Sequence, residues 1–320
     1  MEGVEATALM AAAARARESE RADRLFDDPW AAALAGEEGF ELLARYESSR
    51  PDRPMVVVAI RNRFFDDFLL GSALDGVRQF VLIAAGLDTR AFRLAWPPKV
   101  RVFELDQPGV LAYKQVILDD ARASAVCERR TVVADFRDDW APALLDAGYD
   151  PAVRAVWLAE GLLFYLPQPS VHELLETTAK LSCRDSTLGT DTLYSAMPAP
   201  YSSQECSQCG AEAEAQLAFG TDRPADLLAK HGWTPTLHWY RDIAEDLGRR
   251  WPSTDDLVLR GTIITATPAG RSRAAEIERM RPGLVDSAIP VGNRRPSAFS
   301  ATRGSKHRTG TTRLSTTWRR

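Results

Sequence analysis

The chain has 320 residues, 45% of them hydrophobic and 26% charged, with 4 cysteines. That length and apolar content allow one large α/β domain or two small ones around a substantial core, and exclude a disordered, collagenous or low-complexity chain. No run approaches the roughly 18 apolar residues of a membrane helix, the N-terminus mixes acids and arginines unlike a secretory signal, and four cysteines are too few for a disulfide scaffold. The expectation is a soluble protein of a reducing compartment, the cytoplasm, with no membrane partner. The formal net charge of −4 is unevenly spread: residues 271–320 hold 12 Lys/Arg against 3 Asp/Glu, a net of +9, which leaves −13 on the remainder. An acidic body argues against nucleic acid as the main partner.

Residues 1–35 read as helix, rich in Ala, Leu, Met, Arg and Glu, interrupted at Phe26-Asp27-Asp28-Pro29-Trp30. There Asp28 is a candidate cap and Pro29 suits a first helical turn. A further helix is predicted from Met55 to Leu70, with Val58, Phe65, Phe68 and Leu69 on one side. Gln79–Ile83, Val100–Leu105 and Ala155–Leu158 are short continuous apolar runs, as expected of strands buried on both faces. Arg130–Val133 and Thr187–Leu193 complete a set of five strands. Helix-like stretches at Gly109–Asp120 and Ser170–Cys183 lie between them. This alternation predicts βαβ units and a mostly parallel sheet. Beyond a looser stretch at 194–235, Pro235–Tyr240 and Asp256–Thr267 read as strands flanking a helix at Tyr240–Arg250, giving the sheet an antiparallel end. The expected domains are a helical N-terminal cover (1–75), an α/β core (76–268) and a disordered basic tail (269–320).

Ligands of a doubly wound sheet sit beyond the carboxyl ends of its strands. After the first strand comes Ala84-Ala85-Gly86, and after the second Asp106, 20 residues beyond Gly86. Asp135-Phe136 follows the third and Glu160-Gly161 the fourth. A glycine at the first turn lets a ligand approach the backbone closely. An acid at the second tip can accept from two ribose hydroxyls, and the third-tip acid can accept from an adenine amino group while Phe136 packs on the ring. The pyrophosphate-cradling G-x-G-x-x-G is missing, and so is a triphosphate-binding loop. The layout therefore suits a nucleoside without phosphates, such as S-adenosylmethionine, better than NAD.

The strings TALMAAAARARESERADRLFDDPWAAALAG, VVVAIRNRFFDDFLL, VLIAAGLDTRAFRL, VFELDQP, VVADFRDDW and VWLAEGLLFYLP occur in this order from residue 7 to residue 167. They resemble the leucine carboxyl methyltransferase-like family, in its bacterial branch of S-adenosylmethionine-dependent O-methyltransferases that includes carboxyl methyltransferases of polyketide biosynthesis. The resemblance runs from residue 1 to about 267 and implies a Rossmann-like class I methyltransferase fold. It implies that Arg61 grips the methionine carboxylate of the cofactor, that Gly86 lies under the cofactor and that Asp106 holds the ribose. Asp135 and Phe136 would bind the adenine, and Glu160 would lie near the methionine portion. A basic residue of the N-terminal helix also matches, with Arg17 preferred over Arg15. The implied acceptor is a small molecule, methylated on oxygen, a carboxylate by preference. No metal and no particular oligomeric state is implied.

Two departures stand out. The family's Gly-Ala-Gly at the first turn is Ala84-Ala85-Gly86 here, and an Ala forced to positive φ costs on the order of 1 kcal/mol. The residues after Thr267 match nothing in the family pattern. Competing readings exist for single residues. Asp106 and Asp135 also fit helix N-caps, Arg61 a surface ion pair with its helical neighbours, and Cys206-Ser207-Gln208-Cys209 with His231 half of a zinc knuckle. For the whole chain the alternatives are an NAD-dependent oxidoreductase on the same sheet and a catalytically silent cofactor-binding protein.

Overall fold

The structure of the protein is a computed structural model that describes residues 6–49, 55–195, 217–251 and 261–269. The basic tail from residue 270 and the Cys206/Cys209 pair lie outside the described residues.

Three helices precede the sheet: α1 (Ala6–Ser19), α2 (Ala31–Ser49) and α3 (Val56–Leu74). Then follow β1 (Gln79–Ile83), the single turn α4 (Arg90–Arg93), β2 (Arg101–Asp106), α5 (Pro108–Asp120), β3 (Glu128–Val133), α6 (Ala141–Asp146) and β4 (Ala155–Ala159). A 3-10 turn at Leu163–Tyr165 leads to α7 (Gln168–Lys180) and β5 (Thr187–Thr192). The last described elements are α8 (Pro224–Lys230), β6 (Trp233–Trp239), α9 (Tyr240–Asp246) and β7 (Thr262–Pro268).

The seven strands form one sheet in the order β3-β2-β1-β4-β5-β7-β6. The pairs among β1 to β5 are all parallel, and β7 runs antiparallel between β5 and β6. The parallel α/β architecture expected from the strand–helix alternation is present. Its end differs in one detail: β6 itself points the same way as β1 to β5, and only β7 is reversed.

Side chains alternate across the sheet. Phe80, Leu82, Val102, Val156, Leu158 and Ile263 face the core under α1 and α3, which contribute Leu9, Val58, Ile60, Phe65 and Leu69. Val81, Ile83, Phe103, Leu105, Trp157 and Leu188 face the opposite core, closed by Leu144, Val171, Leu174 and Leu228. β1 and β4 are buried at every position, which explains their unbroken apolar sequence, whereas β3 at the edge is half exposed and begins Glu-Arg-Arg. Gly189 of β5 leaves room for α3: a Cβ there would meet the Phe68 ring at 2.9 Å. The strand order reverses between β1 and β4, the crevice where sheets of this type bind ligands.

Candidate functional site

The loop after β1 is tied to the tip of β2. Ala85 N–H donates to the Leu105 carbonyl at 2.9 Å, extending the parallel ladder by one residue. Gly86 N–H then donates to Asp106 Oδ2 at 2.6 Å, while Asp106 Oδ1 accepts the Gln107 N–H at 2.7 Å. Asp106 is thus an anchored carboxylate at a strand tip, and the side-chain cap expected of an ordinary helix start is missing from α5. Gly86 has φ +49°, and an added Cβ would meet only the Ala84 carbonyl oxygen, at 3.9 Å, so its outer side is open. Ala84 has φ +52°. The turn does impose a left-handed conformation on an alanine, the strain anticipated from the sequence.

Across the switch point, Glu160 follows β4. Arg61 of α3 donates from Nε to Glu160 Oε1 and from a terminal nitrogen to Asp191 Oδ2, both at 2.9 Å. The reading of Arg61 as a surface ion-pair residue is thereby overturned: its partners lie 99 and 130 residues away, and its side chain is only 15% exposed. The chain after β4 lies flat against this guanidinium. A Cβ on Gly161, which has φ +66°, would come within 3.1 Å of it, and Gly161 N–H donates to Asp191 Oδ1 at 2.6 Å. Burial works against the Arg61 charge, but Asp191 and Glu160 outweigh it and hold its pKa well above the usual arginine value. Burial pushes the Asp191 carboxyl up, against the pull of Arg61 and the Gly161 N–H. Burial also raises the pKa of Tyr240 well above normal, with the Asp191 charge adding to it.

A second arginine, missed in the sequence, sits behind this pair. Arg90 opens α4 and its side chain is 1% exposed. It donates to Asp66 Oδ1 at 2.6 Å, Asp88 Oδ2 at 2.6 Å and Glu160 Oε2 at 2.7 Å. Its third nitrogen reaches the carbonyl and side-chain oxygens of Asn62 at 3.3 Å. Arg93 shares Asp66, and Arg15 of α1 donates to Asp28 Oδ2 at 2.9 Å and to the Leu87 carbonyl at 2.6 Å. Asp28 accepts the Trp30 N–H at Oδ1, at 3.3 Å, as expected of a cap before α2, and its Oδ2 also holds Arg15 and the Thr89 hydroxyl, the latter at 2.7 Å.

The remaining predicted residues divide. Asp135 pairs with Arg137 on the surface, and that bond pulls its carboxyl down to about 2. Its Oδ1 also accepts the Arg137 N–H at 3.0 Å, a local turn rather than a helix cap. Phe136 turns inward to the edge of the Trp140 ring, 6.0 Å between centroids. Arg17 bonds Glu47 of α2 and is 41% exposed. Of the two N-terminal arginines it is Arg15, not the preferred Arg17, that reaches the loop after β1. His231 pairs with His172 at 2.7 Å, and no cluster of metal-ligating side chains occurs among the described residues.

With these positions established, comparison with known proteins is decisive. The family model for leucine carboxyl methyltransferase matches residues 8–179. The chain is 40% identical over 289 residues to a Saccharopolyspora erythraea protein provisionally named an S-adenosyl-L-methionine-dependent methyltransferase, covering 82% of this chain and 95% of the relative. A Mycobacterium marinum protein with the same provisional name is 38% identical, covering 82% and 94%. The chain belongs to the leucine carboxyl methyltransferase family. As a member it is an S-adenosyl-L-methionine-dependent methyltransferase, and S-adenosyl-L-methionine is its methyl donor. The crystal structure of a DUF574 family protein from Streptomyces avermitilis shares the fold, with a TM-score of 0.53 at 17% identity, covering 78% of this chain and 98% of that one.

Proposed function

We propose that the protein transfers a methyl group from S-adenosyl-L-methionine to the carboxylate oxygen of a small organic acid, forming a methyl ester. The observation that carries this reading is the pairing of Arg61 with Glu160 across the switch point from the Gly86–Asp106 anchor. The donor set fits the cofactor's parts. A planar two-pronged guanidinium matches the carboxylate of the methionine end, and an adjacent acid matches its ammonium. An anchored acid at the β2 tip matches a ribose diol, and the open side of Gly86 permits close approach. Arg61 and Glu160 would hold the amino acid end, Asp106 the ribose, and Asp135 with Phe136 the adenine. Arg15 and Arg17 would support the loop and the helix pair from the N-terminal side.

The cofactor supplies an activated methyl on a sulfonium, so the protein's task is alignment and exclusion of water. A carboxylate acceptor is ionised at neutral pH and needs no general base, whereas a phenol gains from one. Among the described residues the histidines are otherwise engaged: His172 with His231, and His238 with the Thr265 hydroxyl at 3.0 Å. This favours a carboxylate, and the family resemblance suggests a polyketide-type acid of secondary metabolism. Two free thiols, Cys127 and Cys183, support a cytoplasmic location.

The test is transfer from methyl-labelled S-adenosyl-L-methionine to a panel of aromatic and aliphatic acids and matched phenols. Label that mild alkali releases as methanol supports ester formation. Label that survives alkali on a phenol or alcohol refutes it.

A further inference from the structure

We propose that Arg90 is a positioning residue that holds Glu160 by one oxygen, so that the Arg61–Glu160 pair can open for the amino acid end of the methyl donor. The inference rests on the reading that Arg61 and Glu160 hold that end.

The geometry is that of a shared carboxylate. Glu160 Oε1 faces Arg61 and Oε2 faces Arg90. The two arginines are not equivalent. Arg90 is fully enclosed and has a partner at each of its three nitrogens. Burial works against its charge, but Asp88, Glu160 and Asp66 outweigh it and hold its pKa well above the ordinary arginine value. Arg61 is partly open to solvent and lies against a glycine, Gly161, instead of a bulky neighbour. Arg61 is therefore the partner able to shift.

If Arg61 turns towards an incoming carboxylate, Glu160 Oε1 becomes available to an ammonium. A carboxylate left with no partner in a buried setting would be costly and would draw Arg61 back. Arg90 removes that cost by keeping Oε2 paired throughout. Asp191 does the same for Arg61, since its bond to the other side of the guanidinium does not involve Glu160. A zwitterionic amino acid carries no net charge, so the exchange leaves the charge of the cluster unchanged. Arg90 is also bonded to Asp88, two residues beyond Gly86, which ties Glu160 to the loop after β1.

The experiment measures binding of S-adenosylhomocysteine and of 5′-methylthioadenosine, which lacks the amino acid, to the full-length protein by calorimetry. Arg90→Lys, which keeps the charge but loses the fork, is compared with wild type in both the native and the Glu160→Gln background. The expected result is a loss of about tenfold or more for S-adenosylhomocysteine, under twofold for 5′-methylthioadenosine, and little further loss once Glu160 is Gln. Equal losses for both ligands, or the same loss in both backgrounds, would overturn the proposal in favour of a purely structural Arg90. Should Glu160→Gln and Arg61→Lys alone change neither ligand, the underlying placement of the amino acid end fails instead, and the proposal with it. A second measurement needs no variant at Arg90: guanidinium ¹⁵N–¹H signals of the wild-type protein. On saturation with S-adenosylhomocysteine the Arg61 Nε signal should shift while that of Arg90 stays in place; a shifted Arg90 signal with Arg61 unmoved contradicts the proposal.

Discussion

Gly86 and Asp106, 20 residues apart, are joined by a 2.6 Å bond from backbone N–H to carboxylate, so the turn after β1 and the tip of β2 form one rigid unit. Asp106 also accepts the N–H of Gln107 and is buried. We expect Asp106→Ala to weaken S-adenosylhomocysteine binding by about 1–3 kcal/mol, the range for losing a hydrogen bond to a charged group. Asp106→Asn, which retains one acceptor oxygen, should lose less. Calorimetry on both variants checks this, and unchanged affinity in Asp106→Ala would remove Asp106 from the cofactor site.

Ala84 sits at φ +52°, where an L-residue other than glycine is strained. The strain costs about 1–2 kcal/mol, partly offset by the greater chain entropy of an unfolded glycine. Ala84→Gly should therefore stabilise the protein by up to about 1 kcal/mol in urea unfolding. A destabilised variant would show that the alanine methyl packs well enough to outweigh the strain.

Arg15 and Arg17 should separate cleanly in stability. Arg15 bonds Asp28, which is 2% exposed, so Arg15→Met leaves a buried carboxylate short of a partner. The cost should be about 3 kcal/mol, the lower end for breaking a buried pair, because Thr89 still donates to Asp28. Arg17 and Glu47 are both more than a third exposed, and Arg17→Met should change stability by less than about 1 kcal/mol. Equal effects in denaturant titrations would contradict the assignment of Arg15 to the loop after β1.

These two arginines also mark where the sequence stopped being informative. Both lie in one Ala-rich helix, and which of them faces Asp28 depends on how α1 docks. By contrast, the strands at Gln79–Ile83 and Ala155–Ala159 were legible because a strand buried on both faces must be continuously apolar. The acids at the strand tips were legible in position, because each ends a strand or follows closely after one. Arg90 was not legible. An arginine following a turn reads as a surface charge, and its burial depends on Asp66, 24 residues back, and Glu160, 70 residues on. Asp191 was hidden inside a strand whose other residues are mostly threonines, and its partners, Arg61 of α3 and the Gly161 N–H, lie 130 and 30 residues away.

His238 sets an acid-side dependence of stability. Burial lowers its pKa from the ordinary 6.5 to about 4. The folded protein therefore holds it neutral where the unfolded chain binds a proton. Its stabilising contribution is complete above pH 6.5 and is lost as pH falls towards 4. His238→Gln, which can still bond Thr265, should flatten the stability curve in that window by up to one proton, about 1.4 kcal/mol per pH unit. Burial also lowers His172 and His231, so some slope should persist. Denaturant midpoints at several pH values between 4.5 and 7 check this; an unchanged slope would mean that His238 titrates normally.

The central claim is that Arg61 receives the carboxylate of the methyl donor. Its most direct test is the affinity of Arg61→Lys for S-adenosylhomocysteine and for 5′-methylthioadenosine, each relative to wild type. Lysine keeps the charge but cannot make the two-pronged contact. The account predicts a loss of about tenfold, ~1.4 kcal/mol, for S-adenosylhomocysteine and less than twofold for 5′-methylthioadenosine. Equal losses for the two ligands, or none for either, would contradict it.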